Sequence, residues 1–173
     1  MDLLQRDGYR LRAPEPEDLA CMVLFENTTS LWAVSNTTGP YSRYCLKQYL
    51  ETNKNDLYED RQLRLMIETP DKDVAGIIDL CNFDPFHQRA EVAIVVADGY
   101  QRKGIGELAL QLLMEHAFGF LGIHQLYAYI DVTNEPCRHL FKKCGFSECA
   151  CLKDWMKQGR VYRDVLMVQC INS

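Results

Sequence analysis

One acidic residue and one glycine-rich turn are the features of this sequence whose residue types and spacing could do chemistry. Glu91 lies in a β-rich run, and ten residues later Gln101-Arg102-Lys103-Gly104-Ile105-Gly106 opens a helical pattern. The first N–H groups of a helix are unpaired and its dipole is positive there, while glycine lets an anion approach the backbone closely. Arg102 and Lys103 add positive charge at the same point. The turn therefore predicts a site for a phosphate-bearing ligand near a carboxylate.

Three interpretations of this turn are considered: a P-loop, a dinucleotide-binding loop, and a plain connection that binds no ligand. A P-loop needs Gly-Lys-Ser/Thr, which the sequence lacks here. A dinucleotide-binding fingerprint would end on Ala109, a tolerated variant. However, the short β-rich runs before the turn are closely spaced and predict hairpins, which argues against the parallel unit that this fingerprint needs. A plain strand–turn–helix connection without a ligand stays open at this point.

The elements that must position the turn alternate between strand-like and helix-like patterns. A helix is predicted to open at Ala13–Asp18, where proline and acidic residues suit a first turn. One or two further helices are predicted between Leu31 and Asn55, broken near Gly39-Pro40. The helix after the turn continues to Phe120, and another runs from Asn134 to Gly145. The predicted strands are Tyr9–Arg12, Gln62–Ile67, Val74–Cys81, Ala90–Val96, Gln125–Val132, Phe146–Trp155 and Val161–Cys170. This order predicts an α/β (α+β) domain with a central mixed sheet.

Length and composition fit one soluble domain over residues 1–173. The formal net charge is −5, so the chain lacks the positive charge that nucleic-acid binding needs. No apolar run approaches the about 20 residues that cross a bilayer, and the N-terminus does not resemble a signal peptide. The eight cysteines form no C-x-x-C pair, which predicts reduced, buried, structural thiols, no metal site and a cytoplasmic protein. A homo-oligomer is compatible with these features.

Two motifs together resemble the GNAT superfamily of N-acetyltransferases. The turn from Gln101 to Gly106 resembles its acetyl-CoA signature, Q/R-x-x-G-x-G/A, and Asn134 to Phe146 resembles its N-x-x-x-x-x-L-Y-x-x-x-G-F segment. The likeness is closer to the spermidine and ribosomal-protein N-acetyltransferase branch, through Arg89-Ala90-Glu91-Val92 and Gly159–Asp164. It is specific from about Val74 to the C-terminus and faint over residues 13–60. The resemblance implies a mostly antiparallel sheet with splayed fourth and fifth strands and flanking helices. It also implies transfer of an acetyl group from acetyl-CoA to an amine by direct attack in a ternary complex.

The resemblance also implies where acetyl-CoA binds. The pyrophosphate would lie on the backbone amides of Gln101 to Gly106, and pantetheine between the strands that carry Glu91 and Tyr127. The N–H of Val95 or Val96 would donate to the thioester carbonyl. Asn134 would bind coenzyme A, act as an N-cap, or do both. The cofactor-binding residues implied are Ile94, Val95, Val96, Gln101, Arg102, Lys103, Gly104, Ile105, Gly106, Asn134, Cys137 and Phe141.

The sequence offers a clear candidate for the general base but not for the general acid. Glu91 is the candidate base, and its alternative is a solvated glutamate paired with Arg89 or Arg102; Asp131 and His87 are weaker candidates. The tyrosine that serves this family as general acid falls at Phe141, which has no proton to give. Cys144 is retained as a catalytic candidate because Cys137, Phe141 and Cys144 share a helical face. Cys137, Tyr127, Tyr129 and a water are the alternatives.

The acceptor is expected to contact the N-terminal helices and the closing hairpin. The candidate substrate-binding residues are Glu26, Trp32, Tyr41 and Trp155, because aromatic and acidic side chains can hold a cationic amine. Each also suits a core or surface position. Likeness to polyamine acetyltransferases implies a polyamine or similar small amine; a peptide N-terminus, an aminoglycoside or an amino acid are alternatives. Phe141 favours a different class, a coenzyme A-binding sensor or regulatory module without turnover.

Overall fold

A computed structural model describes residues 3–28 and 37–173. The described strands are β1 Gln5–Arg6, β2 Tyr9–Arg12, β3 Leu63–Glu68, β4 Val74–Asp84, β5 Arg89–Val96, β6 Gln125–Asp131, β7 Ser147–Gln158 and β8 Val161–Ile171. The described α-helices are α1 Leu19–Asn27, α2 Arg43–Thr52, α3 Leu57–Asp60, α4 Ile105–Glu115 and α5 Glu135–Lys143. One π-helical turn, His116–Phe120, extends α4.

The strands form one sheet in the order β1-β2-β3-β4-β5-β6-β8-β7. All neighbours are antiparallel except β5 and β6, which pair in parallel from Arg89↔Gln125 to Glu91↔Tyr127. Beyond Glu91, β5 continues along β4 as far as Val96, while β6 continues along β8. The two strands therefore part, and the expected mixed, mostly antiparallel sheet with a splayed pair is confirmed.

Alternation along the strands gives the sheet two differently covered faces. On one face, α4 buries a stripe of apolar residues against β1, β2, β4 and β5: Ile105, Ala109, Leu110, Leu112 and Leu113. Each fully buried leucine or isoleucine of this kind stabilises the fold by about 1.5–3 kcal/mol. On the other face, Met22 of α1 and Leu46 of α2 pack on Met66 and Ile77. The same face of the sheet carries Glu91, which thus lies beside the N-terminal helices.

The N-terminal half departs most from the sequence prediction. The helix predicted to open at Ala13–Asp18 begins at Leu19, after a 3-10 turn at Pro16–Asp18 that Glu15 and Asp18 cap reciprocally. The short elements β1 and α3 were not predicted, because two and four residues are too few to show a period. Part of the region predicted to be helical, residues 29–36, lies outside the described residues.

All eight cysteines are free thiols, but they are less buried than predicted. Cys45, Cys149 and Cys151 are exposed, and the other five are half-buried. Cys149 and Cys151 lie on β7, the outermost strand, where an apolar run in the sequence does not enter the core. Among the described residues, no helix combines the length and apolar character required to cross a membrane.

Candidate active site

The gap between β5 and β6 opens into a groove of ≈ 540 Å³. It brings together residues that are far apart in the chain, from both halves of the sequence. Of the candidate residues, those that line it are Glu26, Tyr41, Glu91, Ile94, Val95, Asn134, Cys137, Phe141 and Trp155. Trp32 lies outside the described residues, and Cys144 does not line this groove.

Beyond Glu91, no described strand pairs with β5 on the side of the gap. The N–H of Ala97 donates to Ala75 of β4, and a Cβ on Gly76 would collide with the carbonyl oxygen of Val95, so the backbone groups of Val95 and Ala97 are directed at β4. Backbone groups of an antiparallel strand alternate in direction. Ile94 and Val96 therefore direct theirs into the gap. Of the two donors expected for the thioester carbonyl, this geometry favours Val96 and not Val95.

The glycine-rich turn ends at the N-terminus of α4, at one end of the gap. Gly104 is the N-cap with a φ of 78°, in the left-handed region, and no side chain caps the helix. The first helical N–H groups, those of Ile105 and Gly106, are therefore free of intrahelical partners. Gln101 donates to the carbonyl oxygen of Val96 at 3.1 Å and ties the turn to β5, while Arg102 and Lys103 are exposed. The arrangement suits a pyrophosphate.

Helix α5 forms the opposite wall. The Oδ1 atom of Asn134 accepts from the N–H of Cys137 at 3.2 Å, so Asn134 is the N-cap. Its amide NH₂ group has no hydrogen bond to the described residues and is available to a ligand. Phe141 is 2% exposed and packs edge-on against Phe146, with ring centroids 4.9 Å apart. Burial raises the pKa of the Cys137 thiol to about 11.

Cys144 lies in a separate hollow, with Met114, Phe118 and Lys143. The spacing of seven residues puts Cys137 and Cys144 on similar faces of a helix, but it also separates them along the helix axis. Seven residues advance a helix by about 10 Å, and Cys144 is already the C-cap. The structure thus separates Cys144 from Glu91 and from the gap.

Glu91 is held by an amide and not by a cation. The Nδ2 atom of Asn82 donates to Glu91 Oε2 at 2.7 Å. Arg89, one expected partner, pairs instead with Asp84 at 3.3 Å, and no ion pair joins Glu91 to Arg102 among the described residues. The carboxylate charge of Glu91 is therefore not cancelled by a neighbouring cation.

The groups beside Glu91 are neutral at ordinary pH. Burial, with a contribution from the charge of Glu91, raises the pKa of the Cys81 thiol to about 12 and that of the Tyr127 hydroxyl to about 12. Both therefore remain protonated well above neutrality. Neither competes with Glu91 for the role of base.

A buried ionic cluster lies beside Glu91 under the N-terminal helices. Arg64 donates to Glu26 Oε1 at 2.6 Å and to Asp79 Oδ2 at 2.8 Å, and its guanidinium lies 5.9 Å from the ring centroid of Tyr49. Burial acts to lower the pKa of Arg64, but the charge of Asp79, its hydrogen bonds and Glu26 raise it above the usual value. Arg64 thus stays charged and joins α1 to the sheet.

Aromatic side chains line the open side of the groove. Tyr129 of β6 stacks on Trp155 of β7, with centroids 6.2 Å apart, and contacts Tyr127 edge-on. Trp155 follows Asp154, whose φ is 49°, at a bulge between Leu152 and Met156. The bulge and the stacking place the Trp155 ring beside the groove.

The sequence matches the acetyltransferase (GNAT) domain family over residues 9–147. The spermidine N(1)-acetyltransferase of Escherichia coli (strain K12) is 31% identical over 146 residues, which are 81% of this chain and 73% of that protein. The chain belongs to the GNAT family of acetyltransferases. It is an acetyl-CoA-dependent N-acetyltransferase, and acetyl-CoA is its co-substrate.

Solved structures show where else the fold of this acetyltransferase occurs. A spermidine N-acetyltransferase from Vibrio cholerae in complex with CoA and spermine has a TM-score of 0.87 at 23% identity, covering 96% of this chain and 97% of that one. A structure described as dodecameric, from the same source, has a TM-score of 0.82 at 26% identity, covering 97% and 96%. These structures have the fold of this acetyltransferase.

The residues of the acetyltransferase groove that sequence reasoning missed include Tyr49, Arg64, Asp79 and Asn82. One of them left a signal, because Asp79 is the only charged residue in the apolar run Val74–Cys81. A lone acid in a buried strand needs a partner, and that partner is Arg64. The sequence shows no comparable signal for Asn82, whose role depends on a bulge.

Proposed function

We propose that the enzyme acetylates a primary amino group of a polyamine or a similar small polycationic amine. The observation that carries this proposal is the charge of the groove, whose ionisable lining includes four carboxylates and one guanidinium. The carboxylates belong to Glu26, Asp79, Glu91 and Asp131, and the guanidinium to Arg64. A groove with this excess of negative charge attracts cations and repels anionic acceptors.

The guanidinium of Arg64 is not available to an acceptor carboxylate. Its Nε and Nη2 atoms donate to Asp79, and its Nη1 atom donates to Glu26. An amino acid would therefore bring a carboxylate that finds no free cation among the described residues of the groove. This argument favours a polyamine over an amino acid. The 31% identity to the Escherichia coli spermidine N(1)-acetyltransferase supports the same choice.

The chain's own residues supply the steps of a direct transfer. A free alkylamine has a pKa of about 10, so its proton must be removed, and Glu91 accepts it directly or through a water. The amine nitrogen then bonds to the thioester carbon while the Val96 N–H stabilises the charge on the carbonyl oxygen. The nitrogen loses its second proton to water as the C–S bond breaks, and coenzyme A leaves as a thiolate that takes up a proton from water. Glu91 returns its proton to the solvent. Phe141 shapes the pocket and donates nothing.

A competition among acceptors tests the proposal. Release of the coenzyme A thiol is followed with spermidine, spermine, an alkyl monoamine of matched length, an aminoglycoside, an amino acid and an N-terminal peptide, with products identified by mass. We expect kcat/KM for spermidine to exceed that of the monoamine by at least about 10-fold, since one added ammonium–carboxylate contact contributes about 1.4 kcal/mol. Equal values for the two amines, or preference for the peptide or the amino acid, would overturn the assignment.

We further propose that the enzyme is a homo-oligomer built from one acetyltransferase domain per chain, over residues 1–173. The Vibrio cholerae relative described as dodecameric supports this. Light scattering coupled to size exclusion tests it, and a single species with the 20.0 kDa mass of one chain contradicts it.

A further inference from the structure

A bulge interrupts β4 directly opposite Glu91. The β4–β5 register is regular from Gly76↔Val96 to Cys81↔Glu91 and then shifts before Asp84↔Arg89. Within the shift, Asn82 has a φ of 49°, in the left-handed region that asparagine and glycine adopt most readily. Bulges next to active sites commonly redirect a side chain. Here the redirected side chain is that of Asn82.

The bulge brings the Asn82 amide to the carboxylate at the centre of the groove. Asn82 Nδ2 donates to Glu91 Oε2 at 2.7 Å, and both residues line the groove. The Cys81 thiol donates to the carbonyl oxygen of Glu91 at 3.6 Å, which also fixes the backbone there. Among the described residues, Glu91 Oε1 has no hydrogen-bond partner.

We propose that Asn82 is a positioning residue for Glu91, which orients the carboxylate toward the acceptor amine without cancelling its charge. The proposal rests on the role of base proposed for Glu91. An arginine or lysine at this place would orient the carboxylate equally well. However, a cation would favour the ionised form of the carboxylate and so weaken it as a base. A neutral amide holds one oxygen and leaves the other for the proton of the amine.

The remaining charges around Glu91 on the sheet are paired or neutral. Cys81 and Tyr127, its neighbours on β4 and β6, stay protonated because burial raises the pKa of each to about 12. On β6, Asp131 lies 3.8 Å from Arg163, and on β5 Arg89 is paired with Asp84.

The helices that cover the groove add few further groups. From α1, Glu26 is ion-paired with Arg64, which also holds Asp79. From α2 and the residues before it, Tyr41, Cys45 and Tyr49 line the groove, and burial raises the pKa of Tyr49. Burial also raises the pKa of Asp79, against the effect of Arg64. Among the described residues, the Asn82 side chain is hydrogen-bonded to Glu91 and to none of these other groups, so a shift in the acidic limb of the pH–rate profile on changing Asn82 is assigned to Glu91.

Two variants that keep the left-handed backbone test the proposal. Asn82→Gly removes the amide, and Asn82→Asp keeps its shape but places a second carboxylate beside Glu91. A carboxylate that loses a donor takes up a proton at higher pH, and two adjacent carboxylates do so more strongly. We expect the acidic limb of kcat/KM for spermidine to move up by about 0.5–1 pH unit in Asn82→Gly and by more than about 1 unit in Asn82→Asp. Above the limb, both variants should recover to within about 3-fold of the parent.

Gln88→Gly is the matched control. Gln88 lies in the same hairpin with a φ of 50°, and its side chain donates to the carbonyl oxygen of Pro85, away from Glu91. Its profile should coincide with that of the parent. If Asn82→Gly does not fold, as judged by its thermal melt, Asn82→Asp decides the question.

The Glu91→Gln variant separates this proposal from the proposed mechanism. If Glu91→Gln abolishes the plateau above the acidic limb, so that the rate rises steadily with pH, and both Asn82 variants keep the parent limb, the role of Asn82 is overturned and the base remains. If Glu91→Gln keeps the limb, the assignment of the base fails first. Support requires that the limb move in both Asn82 variants, and that Asn82→Gly cause no further loss in the Glu91→Gln background.

Discussion

At the scale of single residues, the groove distinguishes Glu91 from the other carboxylates. Asp79 and Glu26 are held by Arg64, and Asp131 lies near Arg163, whereas Glu91 contacts a neutral amide. A base must release and regain a proton in each turnover, which an ion pair opposes. The local partners, more than the residue type, favour Glu91 for this role.

Replacing Glu91 by glutamine should abolish the assisted removal of the amine proton. We expect kcat/KM for spermidine at pH 7 to fall by about 10²–10⁴-fold, the usual contribution of a general base. The rate should then follow only the fraction of amine that is already neutral, so it should rise steadily toward high pH. A pH–rate series on the parent and on Glu91→Gln measures this. An unchanged acidic limb would remove Glu91 from the mechanism.

Phe141 is the second residue whose identity affects the chemistry. The burial that surrounds it also raises the pKa of Cys137 to about 11, so this thiol is a reluctant donor to a departing thiolate. Phe141→Tyr should supply a hydroxyl at the place where the family has one and raise kcat by about 10-fold. Stopped-flow thiol release compares the two proteins. Equal kcat values, with equal melting temperatures, would show that protonation of coenzyme A does not limit the rate.

At the scale of elements, α5 depends on Asn134, the residue that is also predicted to bind coenzyme A. Asn134 caps the helix through Oδ1, while its NH₂ group remains available. The sequence left open whether this asparagine is a cap or a ligand. The structure shows the cap, and the free amide keeps the second role possible because the two roles use different atoms.

Two substitutions separate those roles. Asn134→Ala should lower the free energy of unfolding by about 1 kcal/mol through loss of the cap, and should also raise the KM for acetyl-CoA. Asn134→Asp keeps an accepting oxygen at the cap but lacks the amide donor, so it should retain stability while still raising that KM. Urea unfolding and acetyl-CoA kinetics measure the two effects. A normal KM in Asn134→Asp would leave Asn134 with the cap alone.

Prediction of helices and strands succeeded where the periodic segment was long and residues typical of helix ends marked its limits. The apolar spacing from Ile105 and the cap at Asn134 gave α4 and α5 with nearly correct starts. It failed for β1, which has only two residues. The turn that follows β1 is Asp7-Gly8, and both turn residues have a positive φ. Position within the sheet was also hidden, because a pattern does not show that β7 is the outermost strand. Cys149 and Cys151 are exposed for that reason.

At the scale of the whole molecule, a second ionic cluster braces the first strands. Arg12 donates to Asp18 at 2.7 Å and to Glu68 at 2.5 Å, and both carboxylates are nearly inaccessible to solvent. Burial alone would raise the pKa of each, but hydrogen bonds from Arg12 lower both below their usual values. Arg10 also reaches Glu68, from a far more exposed position.

Removing Arg12 should leave two buried carboxylates without their main partner. We expect Arg12→Leu to lower the free energy of unfolding at pH 7 by about 3 kcal/mol, against less than about 1 kcal/mol for the exposed control Arg10→Leu. Because the pKa values of Asp18 and Glu68 are lowered in the folded protein, their ionised carboxylates stabilise the fold above about pH 4. This contribution is lost as pH falls through the lowered pKa values. The difference between parent and Arg12→Leu should therefore shrink below about pH 4. Urea unfolding across pH tests this, and a constant difference would contradict it.

The site as a whole was only partly visible in the sequence. Glu91 and the turn from Gln101 to Gly106 could be chosen as candidates from the sequence, since each lies in a local motif, and their roles stay predictions. The cluster of Arg64 with Glu26 and Asp79 could not, because it joins α1, β3 and β4 across 53 residues of chain. The candidate acid Cys144 lies outside the groove, and the sequence did not show this because helical phase gives direction but not position along the helix axis.

A structure of the enzyme with coenzyme A and spermidine tests the central claim most directly. The account predicts pantetheine between β5 and β6, the pyrophosphate on the turn from Gln101 to Gly106, and a primary nitrogen of the amine about 2.6–3.2 Å from Glu91 or one water away. A gap closed to the cofactor, or an amine bound with its primary nitrogens remote from Glu91, would contradict it.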